Sequence, residues 1–297
     1  PTGTPSRNPG QDRAEGTVDL LTLNALLCCC GARGDPHSLI ASSLDLFTND
    51  ITKRNAFFHK YGMGSKTDPD QVLGNGGSVG PFLTDNGDAL IPGARRGAIT
   101  IEKGASINAS KDGFALVAAS AVNQGGRIVA DDGQVFVAAA QGLIMADSAT
   151  GSHMDIQALG AAGPDGVVSN TGLIQARRGS IKLLGEDVRQ DGVLVASTSL
   201  SHPGSIVFDK GSGSNTRPKV ELGSGSVTTI LPEKDGETTT STQDADKAFV
   251  TSRVDVNLMA TVNSGALVEV PAGNVTFARD TYVDSGAVID VSGLANV

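Results

Sequence analysis

The feature that most limits what this chain can fold into is a short unit that keeps returning along it. The unit runs apolar residue, spacer, Ala or Val, two polar or small residues, Gly, spacer, apolar residue. It reads Ile128-Val-Ala-Asp-Asp-Gly133-Gln-Val135, then Ile174-Gln-Ala-Arg-Arg-Gly179-Ser-Ile181, then Val268-Glu-Val-Pro-Ala-Gly273-Asn-Val275. A copy with one extra residue begins at Ile107, and a shortened copy begins at Ile289. Neighbouring copies start 21 residues apart (Ile107 to Ile128), 20 apart (Ile174 to Leu194) and 21 apart (Val268 to Ile289). Each unit opens on a glycine: Gly104, Gly126, Gly172, Gly192, Gly265 and Gly286. Alternating apolar positions over a 20 to 21 residue period match one turn of a stacked β-coil, with two or three short strands joined at glycine turns. The sequence therefore predicts an all-β chain, a right-handed parallel β-helix (β-solenoid) with coils of about 20–21 residues.

Composition agrees with a narrow interior. The chain has no Trp, only 2 Tyr, and 38 Gly in 297 residues, nearly twice the usual ~7%. Burial must come from Ala, Val, Ile and Leu stacked on themselves from coil to coil, with Lys, Asp, Ser and Thr outside. A leucine-rich repeat has a similar period, but its frame is absent. The period-2 alternation and the density of glycine exclude helical repeats.

Two stretches break the rhythm and are expected to leave the stack as excursions. Ala146 to Val167 is a side hairpin or loop, and Pro232 to Asp246 is a polar, low-complexity loop. Upstream the pattern weakens. Residues 1–37 are set apart as atypical, with 1–16 disordered. Residues 38–98 begin the β-helix with an irregular insert, in which Ser38 to Phe47 is a strand pair, Asn49 to Tyr61 a short helix or loop, and Asp68 to Gly93 irregular. Residues 99–297 are the coils. Pro1 at the start and a strand pattern still running at Ile289 to Val297 give the expectation of a piece of a longer chain.

A net charge of −9 and a pI near 4.9 argue against nucleic acid, which needs clustered Lys and Arg, and against anionic lipid. The apolar run Leu20 to Cys30 is too short to span a bilayer, so the chain is not expected to be embedded in a membrane. The three cysteines are adjacent, Cys28, Cys29 and Cys30, so no disulfide staples the coils and no zinc spacing exists. The histidines His37, His59, His153 and His202 are scattered. No calcium loop, nucleophile elbow, phosphate loop or dinucleotide fingerprint has a supporting context. No catalytic, cofactor-binding or metal-ligating residue is assigned, and the chain is expected not to be an enzyme.

Three groups remain. Arg33-Gly34-Asp35 is a possible adhesion motif, with Arg and Asp presented on a glycine turn. Asp131-Asp132 is the best carboxylate pair, and Arg177-Arg178 lies at the equivalent point of a later coil. The insertion between those coils separates acid from base, which favours salt-bridging within a ladder over catalysis. Asn123 is expected to stack in an internal ladder at a turn.

The run from Ile99-Thr-Ile-Glu-Lys-Gly-Ala-Ser-Ile-Asn-Ala109 through Ala115-Leu-Val-Ala-Ala-Ser-Ala-Val-Asn-Gln-Gly125 resembles filamentous haemagglutinin-like exoproteins of two-partner secretion. Its continuation, Gly126 to Ala140, is similar to the next coil of their N-terminal secretion domain, and Leu39-Ile-Ala-Ser-Ser-Leu-Asp-Leu46 is like the phrase that precedes those coils. The likeness covers about residues 38 to 145. The family's Asn-Pro-Asn-Gly-type loop has no counterpart in Leu23 to His37. The resemblance implies a secreted or surface-exposed adhesin of a Gram-negative bacterium, with a structural and binding role. Its partners would be an outer-membrane β-barrel transporter and a host-cell receptor or glycan. Two other readings stand beside it: a carbohydrate-active β-helix enzyme of the lyase or hydrolase type, and a module recognised only by its transporter.

Overall fold

A computed structural model describes residues 6–21, 25–28, 31–44, 78–79, 97–140, 142–147, 154–159, 166–199, 203–210, 217–233 and 251–293. Within these the chain is all strand and turn. One face is a sheet of nine parallel strands, and the other two faces share a 15-stranded sheet. Reading along the first face counts nine coils. Coil 1 is Ser6–Asn8 and Gln11–Leu21, and coil 2 is Leu26–Cys28 and Arg33–Ser42. Coils 3 to 8 have three strands each: Ile99–Ile101, Ser106–Ala109 and Phe114–Ala119 in coil 3, then Val122–Gln124, Arg127–Ala130 and Gln134–Ala139 in coil 4. Coil 5 is Val167–Asn170, Leu173–Ala176 and Ser180–Leu184, and coil 6 is Asp187–Gln190, Val193–Thr198 and Ser205–Asp209. Coil 7 is Lys219–Leu222, Val227–Pro232 and Arg253–Val256; coil 8 is Met259–Val262, Leu267–Glu269 and Asn274–Phe277; coil 9, with two, is Thr281–Val283 and Val288–Asp290. The parallel β-solenoid is present.

Alternation sorts the side chains. On the first face Ile99, Val122, Val168, Val188 and Val220 form one inward column, each paired in register with the next. On the second face Ile107, Ile128, Ile174 and Leu194 do the same, and on the third Val117, Val137, Leu183, Phe208 and Val256. All of these are 5% exposed or less. Stacking identical or similar side chains at the strand spacing of about 4.8 Å removes each from water on two sides. The column on the second face is interrupted at Thr228, which sits between Leu194 and Val268. Its hydroxyl is fully buried with no hydrogen-bond partner. Thr228→Val is therefore expected to raise stability by about 1 kcal/mol, read as a higher urea midpoint at unchanged slope.

The stack starts earlier than composition suggests. The described strands within residues 1–37, atypical as a sequence, belong to the solenoid: Ser6–Asn8 pairs with Leu26–Cys28, and Gln11–Leu21 pairs with Arg33–Ser42 across an irregularity between Ala14 and Thr17. Leu26–Cys28 pairs in turn with Ile99–Ile101. A polar segment can complete a β-ladder when its few apolar residues point inward. Here Leu26, Cys28 and Leu39 are buried, while Val18 and Leu20 pack against the same core.

The first break in the rhythm is a hairpin. Gly142–Asp147 pairs antiparallel with Met154–Leu159, and Ser78–Val79 adds a short third strand. Its Leu143 and Ile156 cover the outer side of the third face, over Ile40, Leu116 and Phe136, so that a second apolar cluster forms outside the coil core. This is why Val135-Phe-Val-Ala-Ala139 reads as a continuous apolar run: the strand is buried on both sides. Lys182, next in the column after Phe136, closes the cluster by donating to the Ile156 carbonyl at 2.9 Å. The expectations for Asn49 to Tyr61, for Asp68 to Gly93 apart from Ser78–Val79, and for Pro232 to Asp246 beyond Glu233 lie outside the described residues.

Candidate functional site

Chemistry gathers at the corner between the second and third faces. In four of the coils the chain turns there within three or four residues, and a non-glycine residue takes a positive φ: Asp112 (62°), Asp132 (52°), Arg178 (47°) and Ala272 (56°). Asp is among the residues that tolerate this region, whereas Arg takes it at a cost. The ladder offsets that cost at Arg178, whose backbone N–H donates to Ser197 Oγ at 2.9 Å.

The insertion between Asp132 and Arg178 does not keep them apart, because it leaves the stack as the hairpin. Coils 4 and 5 are direct neighbours. The Asp132 carboxylate accepts two hydrogen bonds from the Arg178 guanidinium, from Nε and, at 2.7 Å, from Nη2. Lys111 Nζ of coil 3 approaches the same carboxylate at 3.7 Å. Glu233, after the last residue of its coil 7 strand, accepts from Arg177 Nε at 2.9 Å, Arg177 Nη2 at 3.2 Å and Ser197 Oγ at 2.5 Å. Arg178 lies 3.8 Å from Glu233. Lys111, Asp132, Arg178, Glu233 and Arg177 thus form one chain of charge up the edge. Acid and base therefore do meet, contrary to the expectation that the insertion separates them. Lys111, Ser197 and Glu233 carry no signal in the sequence that marks them for this site; Glu233 falls in the low-complexity excursion that begins at Pro232 and has no repeat spacing.

The electrostatics favour ionised, mutually neutralised groups. The Asp132 side chain is 8% exposed and Glu233 13%, so unpaired charges here would be costly. The hydrogen bond from Arg177 holds the Glu233 carboxyl below its usual range despite burial, with Ser197 adding to it. The same bond raises Arg177. A carboxyl depressed in the folded state stabilises fully above the ordinary carboxylate range and loses that contribution as pH falls through it. Glu233→Gln is expected to cost roughly 0.5–1 kcal/mol near neutral pH, because Arg177 is half exposed. The difference from the parent should shrink as pH falls through and below the ordinary carboxylate range, measured as urea stability across pH.

A second polar corner lies between the first and second faces. Gln124, Asn170 and Gln190 are buried and inward. Asn170 Nδ2 donates to Gln190 Oε1 at 2.7 Å, Gln124 Nε2 to the Gly126 carbonyl at 2.9 Å, and Gln190 Nε2 to the Gly192 carbonyl at 3.0 Å. The amide ladder expected at Asn123 belongs to its neighbour. Asn123 pairs with Thr100 and Ser169 on the outward phase and is exposed.

Arg33-Gly34-Asp35, expected on a glycine turn, lies instead in the strand Arg33–Ser42. Gly34 pairs with Asp12 and Ile107, an in-register extended position. Asp35 accepts from Asn108 Nδ2 at 2.8 Å and faces Arg13 at 3.7 Å, so its carboxylate is tied into the ladder. Cys28 is buried in the core, and His37 is half-buried in the same strand as the tripeptide; His59, His153 and His202 lie outside the described residues. Among the described residues no three His, Cys, Asp or Glu converge as metal ligands, and no helix is long and apolar enough to cross a membrane. Comparison with protein-family models and with curated proteins finds no match.

Proposed function

We propose that this chain is a shaft segment of a secreted or cell-surface exoprotein of the filamentous haemagglutinin-like kind, exported by two-partner secretion, with a structural and binding role and no turnover. The observation that carries the reading is the unbroken ladder from Ser6–Asn8 to Thr281–Val283. Each coil buries its inward columns on the one before it, so folding can proceed coil by coil as a chain emerges from a pore. A core free of disulfides suits passage as an unfolded chain. The phrase Leu39 to Leu44 supports the same reading: Ile40 and Leu44 pack into the outer cluster against coils 3 and 4. The partners would be an outer-membrane β-barrel transporter and a surface receptor or glycan.

The test is export. Given a cleavable signal peptide and co-expressed with a two-partner barrel transporter in a Gram-negative host, the chain should reach the surface or medium only when the transporter is present. Retention in the periplasm with a functional transporter would contradict the proposal.

The carbohydrate-active reading gains one observation, the meeting of Asp132, Glu233 and two arginines at one edge. Lyases and glycosidases need a carboxyl or base free to exchange a proton, and here each is committed to a partner. Incubation with polygalacturonate, alginate and hyaluronan should release no new ends; cleavage abolished by Asp132→Asn would make the chain an enzyme instead.

A further inference from the structure

Outward positions on the second face form an aliphatic stripe that neither core accounts for. Leu173, Val193, Val227, Leu267 and Val288 follow one another in a single column from coil 5 to coil 9, with Val195 beside Val193. None belongs to the coil core or to the cluster under the hairpin. Stacking hides their flanks and leaves their tips to solvent, so that Leu173, Val193, Val227 and Leu267 are each half-buried. Upstream, the same column holds Arg127 and Ser106. The adjacent column ends in Glu269 and Asp290. The stripe is therefore basic at one end and acidic at the other. Arg127 donates to Asn108 Oδ1 and Glu269 accepts from Thr229, but neither has an ion-pair partner among the described residues.

We infer that this face pairs with the same face of a second copy, the two solenoids running antiparallel about a two-fold axis that crosses coil 6. The two-fold turns one column onto its own image with coil order reversed. Val193 then meets Val193 of the other copy, Leu173 meets Val227, and Arg127 lies diagonally against Glu269, twice per dimer. Parallel pairing would set coil 4 level with coil 4 and coil 8 level with coil 8, bringing like charges together, so charge selects the antiparallel form. Packed sheets sit about 10 Å apart, and a face one strand wide offers on the order of 500 Å² per copy. That is the low end for specific interfaces, which sets the expected affinity in the micromolar range. This inference concerns the outer face and is independent of the export route.

Sedimentation velocity of the full chain from about 5 to 200 µM tests it. The parent should pass from monomer to dimer. Val193→Lys, which sets two ammonium groups against each other on the axis, should leave a monomer with unchanged far-UV circular dichroism. Arg127→Glu should weaken the dimer about tenfold or more, and the double reversal R127E with E269R should restore it. A monomer throughout that range would overturn the inference. So would a dimer indifferent to Val193→Lys, or one abolished by Val283→Asp at the last coil while Val193→Lys leaves it intact.

Discussion

Replacing Gly179 with alanine is expected to destabilise the protein by about 3 kcal/mol or more, among the largest losses any single methyl group could cause here. Gly179 closes the second corner of coil 5 directly over Gly133 of coil 4. A Cβ at Gly179 would sit 1.9 Å from the Gly133 carbonyl oxygen and 3.0 Å from its carbon. Both atoms are backbone, so no rotamer change relieves the clash. Relief requires parting coils 4 and 5 at that corner, which breaks the bonds from Ser180 N to Gly133 O (3.2 Å) and from Asp132 N to Arg177 O (2.8 Å). The same corner carries the Asp132–Arg178 pair, so the charge ladder is severed as well. Gly225 supplies the control. It has a φ of +79° but nothing within 4 Å of a built Cβ, so Gly225→Ala should cost only about 1 kcal/mol of backbone strain. Urea denaturation of both variants separates contact from conformation. Equal losses would mean that the corner can part to admit a Cβ and that coil contact does not set the cost.

Phe208→Ala is the second large effect, at about 3–5 kcal/mol. Phe208 is fully buried and stands in an inward column between Leu183 and Val256. Its neighbours are backbone-paired above and below, so they cannot collapse into the space without breaking ladder bonds. Phe136 is equally large and 2% exposed, but it faces outward under the hairpin. A hairpin can settle or lift, so Phe136→Ala should cost less, about 2–3 kcal/mol. Hydrogen exchange should place that loss in Gly142–Asp147 and Met154–Leu159 alone, whereas the Phe208 variant should lose protection in coils 5 to 7. A similar global loss for both would show that the two clusters form one core.

The repeat makes the solenoid legible because its signals are backbone requirements. Glycine recurs where coils touch at corners, and period 2 assigns inward and outward phases without knowledge of neighbours. The failures trace to what a period cannot carry. Asn123 and Gln124 differ by one step of phase, and in a three-residue strand with polar residues at both positions only the stack decides which turns inward. The Asp132–Arg178 pair depends on whether the intervening residues lengthen the stack or leave it, which their composition does not reveal. The early coils are hidden for another reason. Ser6–Asn8 and Gln11–Leu21 hold few apolar residues, and most of their stabilisation is backbone pairing to coil 2, a long-range effect invisible in local composition. Arg33-Gly34-Asp35 misleads because its central glycine suggests a turn, whereas the strand either side of Gly34 keeps it extended.

Spin-label distances along one outward column test the coil stack most directly. Arg7, Leu27, Thr100, Asn123, Ser169, Arg189, Glu221, Thr261 and Tyr282 follow one another in register up the first face. With Cys28 replaced by Ala and Cys29 and Cys30 by Ser, labels at Arg7 and Tyr282 should lie eight strand spacings apart, about 38 Å. Labels at Arg7 and Glu221 should give about 29 Å, and at Asn123 and Tyr282 about 24 Å, each as a narrow distribution. Distances that grow in proportion to coil number are the predicted result. Broad or shorter distances for the pairs that include Arg7, with the Asn123–Tyr282 pair intact, would contradict the claim that the stack begins at residue 6.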